Sequence, residues 1–528
     1  MRPARSIVFL PIFLGLSLAL GIYLGHSLRP GSSGDERSKL KTVLDYIEQE
    51  YVDPISTDSL VETTIEAMLL QLDPHSAYIP AKDLQAVNES LEGNFEGIGI
   101  EFHIQQDTIM VVSAIPGGPS EKVGLMAGDR IVKVDRKNVA GIGINNEQVQ
   151  KYLRGEGGSE VTVSIYRRNK ETLIDFKIIR GKIPLNSLET AYMLDEQTGF
   201  IKLSRFSATT YEECRTALEQ LKSEGMKSLI MDLRGNPGGF LDAATKLTDE
   251  FLDGNKLIVY TSGKSRPRSD YKARKEGLFE KGELIVLIDE GSASASEILA
   301  GAIQDWDRGT IIGRRSFGKG LVQEQSELPD GSALRLTIAR YYTPSGRSIQ
   351  KPYDKGGQDY DGELYNRFRH GEMISADSIK QADSLKFKTS SGRTVYGGGG
   401  IMPDIFVPLD TSYNSTYLDK IYGEGLINRF AYDYVDANRE QLQAYSGPED
   451  FRKKFQVDGP LLNQFVAFAD KNGVSKDPGG LQKSEVFLRN QLRAYIARLL
   501  WQSKGLYPIL LEQDNAVREA LRIIHKES

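Results

Sequence analysis

Ser294, Lys319 and the paired glycines Gly238 and Gly239 are the residues of this chain whose types and settings could do covalent chemistry. Ser294 stands in GSASASE, between the apolar run ELIVLID and a helix-like stretch, SEILAGAIQDW. A serine at such a strand-to-helix turn projects its hydroxyl from the sheet edge, where helix N-terminal amides point at a developing oxyanion. The competing reading is that Ser292, Ser294 and Ser296 only cap the helix, with Glu297 reaching back from its third position. Lys319 lies between Gly318 and Gly320, just before a predicted strand. A lysine in a dry site loses its proton more easily, and the neutral amine can take the proton of a serine hydroxyl. A phosphate loop fits poorly: Gly313 to Lys319 match G-x-x-x-x-G-K, but glycine fills position 320 where Ser or Thr must hold magnesium. Gly238 and Gly239, in DLRGNPGG, leave backbone amides uncovered, which suits an oxyanion or simply a tight turn. The histidines, at 26, 75, 103, 370 and 525, show no H-E-x-x-H spacing, and Cys214 is the one cysteine. Thiolate metal clusters and an internal disulfide are thereby excluded, and no cofactor is implied.

These residues need elements to hold them. At roughly 150 residues per domain, 528 residues imply three or four folding units. With 66 basic against 72 acidic side chains, nucleic acid is not an expected partner. Ile7 to Leu24 run without a charge behind Arg2 and Arg5, so residues 1–34 are expected to be a signal anchor and linker. That places the remainder in the periplasm of a cell envelope, tied to the inner membrane through residues 7–24. Residues 35–92 read as a helical segment, with Pro54 between two amphipathic stretches. Residues 93–184 are glycine-punctuated β runs with one helical stretch, Asn145 to Leu153. Residues 185–410 alternate strand and helix, an α/β pattern, with a polar loop or lid expected over Asp354 to Arg393. Residues 411–528 read as helices that could pair two copies of the chain, dock an adaptor, cover the α/β region, or merely add packing.

DLRGNPGG, GSASASE and FGKGLVQ in this order resemble the carboxyl-terminal processing peptidases, the tail-specific serine protease family S41. The likeness extends to LDPHSAYI (72–79), YYTPSGRSIQ (341–350) and GGGIMPDI (398–405). It implies a multidomain α/β protein with a crotonase-like core, in which Ser294 is the nucleophile, Lys319 the general base and Gln323 the residue that positions the amine. The oxyanion hole implied is Ala295 with Gly238, the latter favoured over Gly239. The β domain resembles a PDZ module, through GIGI and IPGGPSEKVGLMAGDRIVKVD (115–135). Its carboxylate loop would be Gly97, Ile98, Gly99 and Ile100, receiving exposed C-terminal tails of protein substrates as an added strand. The function implied is an endopeptidase of the cell envelope that captures such tails. The rival is a PDZ-bearing scaffold or chaperone without proteolytic activity.

Overall fold

The computed structural model describes residue 15 and residues 36–527, apart from 169, 355–356 and 380–382. The chain divides into two units, one ending at Leu72 and one beginning at Asp73. The first holds helices α1 (Glu36–Glu50) and α2 (Thr57–Leu70), with Ser56 Oγ accepting the Ser59 N–H at the start of α2. One expectation is corrected here. No helix among the described residues is long and apolar enough to cross a membrane. The proposed anchor at 7–24 lies, apart from Gly15, outside the described residues. The signal anchor, the membrane as partner and the inner-membrane address are therefore dropped.

The second unit opens with strand β1 (Ala77–Ile79) and helix α3 (Ala81–Glu92). The β domain follows: β2 (Asn94–Gly97), β3 (Ile100–Gln105), β4 (Thr108–Ala114), β5 (Arg130–Val134), β6 (Lys137–Asn138), β7 (Glu160–Tyr166), β8 (Ile174–Ile179) and β9 (Gly181–Pro184). Its sheet runs β3-β4-β5-β7-β8, antiparallel throughout, with β6 beside β5, while β2 pairs with β9. Alternation in EVTVSIY explains the sidedness of β7, because Val161, Val163 and Ile165 fall on one face and are fully buried. Helices α4 (Pro119–Val123) and α5 (Asn146–Leu153) complete this domain. Asn145 opens α5 as a capping box with Gln148, in the helical stretch expected from Asn145 to Leu153.

In the α/β region the six-stranded sheet has the order β10 (Leu188–Met193), β11 (Thr198–Leu203), β12 (Ser228–Asp232), β15 (Glu283–Ile288), β16 (Thr310–Gly313), β19 (Ile405–Phe406). It is parallel except at β10-β11. Strand β15 is apolar and buried from Leu284 to Ile288 because both faces are covered. One face packs on α6 (Thr210–Ser223), α7 (Leu241–Asp249) and α8 (Ala295–Asp305). The second sheet joins β1, β13 (Leu257–Ser262), β14 (Ser269–Lys272), β17 (Leu321–Glu327) and β18 (Ala333–Tyr342), all antiparallel. The polar segment expected as a loop or lid instead carries a helix, α9 (Gly357–Arg369). Its Arg367 is buried and donates to the carbonyls of Ser316 and Arg315.

The tail builds helices α10 (Thr416–Gly423), α11 (Leu426–Ala437), α12 (Arg439–Leu442), α13 (Pro448–Lys454), α14 (Gly459–Lys471), α15 (Pro478–Trp501), α16 (Ser503–Leu510) and α17 (Asn515–Glu527). Most surround a core of their own that includes Phe451, Phe465, Leu488 and Leu492. Tyr432 OH and Arg439 Nη2 donate to the Val111 and Ala127 carbonyls of the β domain, each at 2.7 Å. Helix α17 lies over the outer face of the six-stranded sheet, where Val517, Ala520 and Ile524 cover Ile230, Ile285 and Leu287. Of the roles left open by the sequence, covering the α/β region is thus the one this helix takes. Val517→Asp would bury a charge where the side chain is 1% exposed. A loss of about 3 kcal/mol or more is expected, read as a lowered melting temperature. An unchanged melt would show that α17 contributes nothing to this core.

Candidate active site

The turn after β15 is stitched to the NPGG loop by two of its three serines. Ser292 Oγ donates to Leu233 O at 2.8 Å and Ser296 Oγ to Asn236 O at 2.9 Å, and both residues are fully buried. Ser294 between them is partly exposed and has φ 53°, a left-handed value that a serine holds only when its surroundings enforce it. The capping reading holds for Ser294, the N-cap of α8, to whose N–H Glu297 reaches back, while Ser292 and Ser296 bond the NPGG loop. Gly238, at φ 93°, must be glycine. A Cβ there would sit 2.6 Å from Ala293 O and 2.8 Å from both Ala295 N and Ser294 Cβ. Its own N–H donates to Asn236 Oδ1 at 2.9 Å. Ala295 is the first residue of α8, so its N–H has no acceptor within the helix.

Lys319 Nζ donates to Gln323 Oε1 at 3.1 Å. Burial draws the Lys319 pKa below its usual 10.5, the charge of Arg335 adds to this, and Asp73 and Glu297 oppose it. Gln323 is fixed in turn, donating through Nε2 to His75 O. The His75 segment is folded around Asp73, whose carboxylate accepts the N–H groups of His75 and Ser76 and the hydroxyls of Ser76 and Thr337. The LDPHS motif thus serves the lysine at one remove. His75 itself is pushed down to about 4, chiefly by burial and then by Lys319, so its ring is neutral at neutral pH.

Two groups ascend to importance that the motif reading did not assign to the site. Glu297, weighed only as a cap, is fully buried and accepts four hydrogen bonds. Its Oε1 takes Ser316 Oγ at 2.5 Å and the Gly318 N–H at 2.7 Å, and its Oε2 takes the N–H groups of Ser294 at 2.8 Å and Lys319 at 2.9 Å. One carboxylate thereby joins the serine turn to the lysine loop. Tyr341 OH makes a second tie, donating to Ser294 O at 3.1 Å and meeting Lys319 O. The S-x-x-E spacing pointed to Glu297 as a local cap, whereas nothing local in the sequence distinguishes Tyr341.

Ser294, Lys319, Gln323, Gly238 and Arg335 line one cavity of about 1330 Å³. Gly97, Ile98, Gly99 and Ile100 are not among its lining residues and form a separate place in the β domain. There Ile98 O accepts from Ser120 N and Oγ, and Gly99 holds φ +75°. Ile100 begins β3, which stands at the end of its sheet and so has an unpaired edge.

Residues 197–359 match peptidase family S41, residues 110–167 a PDZ domain, and residues 417–502 a family of unknown function, DUF8443. The carboxy-terminal-processing protease of Bartonella bacilliformis is 37% identical over 66% of this chain and 80% of its own length. Carboxy-terminal processing protease CtpA of Bacillus subtilis is 36% identical over 61% of this chain and 69% of its own. A probable CtpA-like serine protease of Staphylococcus haemolyticus is 34% identical over 72% and 76% respectively. Sequence identity at this level and span, with the serine turn and the lysine loop inside the S41 match, places the chain in peptidase family S41 among the carboxyl-terminal processing serine proteases, with a PDZ domain.

Proposed function

We propose that Ser294 and Lys319 form the catalytic dyad of an endopeptidase that cuts proteins captured by their C-terminal tails. The observation that carries this reading is the single cavity in which a strained serine and a half-buried lysine are tied together through Glu297. Neutral Lys319 takes the Ser294 proton as Oγ attacks the scissile carbonyl. The lysine, now charged, gives that proton to the departing amine, leaving an acyl-enzyme on Ser294. Lys319 then deprotonates a water whose attack frees the acid and restores the serine. Gln323 keeps the amine aimed at the serine. The oxyanion is received by Ala295 N–H and by the NPGG turn. Gly238 N–H is bonded to Asn236 Oδ1 in this state, so its service requires sharing or releasing that bond.

In this reading residues 35–92 are an N-terminal helical segment, 93–184 capture tails, 185–410 form a crotonase-like catalytic core, and 411–528 extend it. Strand β3 offers its edge to an incoming tail, whose carboxylate meets the amides of Ile98, Gly99 and Ile100. Digestion of an unfolded reporter ending in an apolar tail, beside the same reporter with its terminus amidated, tests the proposal. Cutting of the first in preference to the second supports it, as does mapping of a fluorophosphonate adduct to Ser294. An adduct on another serine would refute the assignment. Gly99→Val places a β-branched residue at φ +75°. Tail affinity, read by fluorescence anisotropy, is expected to fall about tenfold or more with Ser294 labelling preserved.

A further inference from the structure

We propose that Arg335 anchors substrate, its guanidinium binding a carboxylate carried by the polypeptide two or three residues from the scissile bond. The inference rests on Ser294 and Lys319 being the reacting pair. Arg335 lines the same cavity as both. On the β17-β18 ladder, Gln323 pairs with Thr337 and Gln325 with Arg335, so Arg335 stands one same-face step beyond the glutamine that holds Lys319. That step is about 7 Å, the length of two residues of extended chain.

A guanidinium has five N–H donors. Arg335 gives one, from Nη2, to Gln325 Oε1 at 2.8 Å, and Gln325 is itself held by Asn88 Oδ1 at 2.9 Å. Among the described residues no carboxylate lies within ion-pairing distance of Arg335. The acids that act on neighbouring Lys319 are already engaged: Asp73 and Glu297 each accept four hydrogen bonds. Glu324, also at the cavity, is paired with Arg266 at 2.7 Å. Burial accordingly lowers the Arg335 pKa, with no acid to offset it. A half-buried cation without a counter-charge favours an anionic ligand that restores the balance. Two sources carry that chemistry: the substrate's own terminal carboxylate, which would make the released tail a di- or tripeptide, and an internal Asp or Glu side chain.

Two peptide pairs decide the matter. One ends two or three residues past the cleavage point as free acid or as amide. The other is longer and carries Glu or Gln at that distance. The wild type is expected to favour the charged member of at least one pair by roughly 10- to 100-fold in kcat/KM, the worth of a charge-assisted hydrogen bond. Arg335→Met erases the preference and Arg335→Lys keeps part of it. Because the PDZ domain is the same in every variant, the double difference isolates Arg335 from tail capture. A preference in the first pair alone identifies the chain terminus, and in the second alone the side chain. Equal slowing of all four peptides by Arg335→Met, or no preference in the wild type, overturns the proposal. The same double difference in peptide affinity on a Ser294→Ala background reads Arg335 without turnover. The anchor therefore stands or falls separately from the dyad, which fluorophosphonate labelling tests.

Discussion

Ser294→Ala is expected to fold like the parent and to lose turnover by at least about 10³-fold, because it removes the hydroxyl proposed to form the acyl-enzyme. Lys319→Ala should lose about as much, since nucleophile and base act as one unit and their removals do not add. Lys319→Arg is the sharper test. It keeps the positive charge and much of the length, yet a guanidinium stays protonated and cannot serve as base. Steady-state kinetics on an unfolded reporter, with circular dichroism as the control for folding, read all three. Retention of activity by Lys319→Arg would show that the residue at 319 contributes charge rather than proton transfer. Gln323→Ala should fall between, at roughly 10- to 100-fold, because it frees the amine from its aim without removing it.

The second large effect belongs to Glu297. Replacing it by alanine leaves three backbone N–H groups and the Ser316 hydroxyl facing an empty space in a fully buried site. Each unsatisfied donor costs about 1–3 kcal/mol, so a combined loss of about 4 kcal/mol or more is expected, together with loss of turnover as the serine turn and lysine loop part. Its titration gives a test with two signs. Burial pushes the carboxyl from 4.5 up to about 7 against the pull of its four donors. Between those values the folded protein binds the proton more tightly than the unfolded chain, so stability falls as pH rises through this window. Turnover runs the other way, because only the ionised carboxylate can accept four bonds and only the neutral Lys319 can act as base. His75, pushed down to about 4, gives stability the opposite slope below its usual 6.5, so the Glu297 share is read as the wild type minus Glu297→Gln difference in melting temperature, which should fall from pH 5 to 7 while wild-type kcat/KM rises. An unaltered difference would assign the titration to another group.

How much of this was legible beforehand depended on whether the signal was local. Strand β15 and helix α8 announce themselves as an apolar run followed by a helical period. Ser294 at their junction could be singled out by its turn, and Lys319 by its flanking glycines. The choice of Ser294 over Ser292 and Ser296 was not in the local pattern. It came from the resemblance, and the structure supplies the physical difference, two hydroxyls buried against the backbone of 233–236 and one left at the cavity. Asp73, Tyr341 and Arg335 act across strands or across hundreds of residues, as in the bond from Gln323 back to His75, and no short window of sequence records such distances. The expected lid failed for a similar reason. The polarity of Asp354 to Arg393 read as a loop or lid, whereas the segment carries a helix whose Arg367 is buried and donates to the carbonyls of Ser316 and Arg315.

Helix α17 also has a meaning in time. The strands it covers, β12, β15 and β16, are complete by Gly313, and Val517 is made roughly 200 residues later, which at about 5–20 residues per second is some 10–40 seconds. Through that interval the outer face formed by Ile230, Ile285, Leu287 and Ile312 lacks the cover of Val517, Ala520 and Ile524. The nascent protein is then a client for whatever binds apolar surface, and the sheet that leads to Ser294 is sealed only when α17 docks.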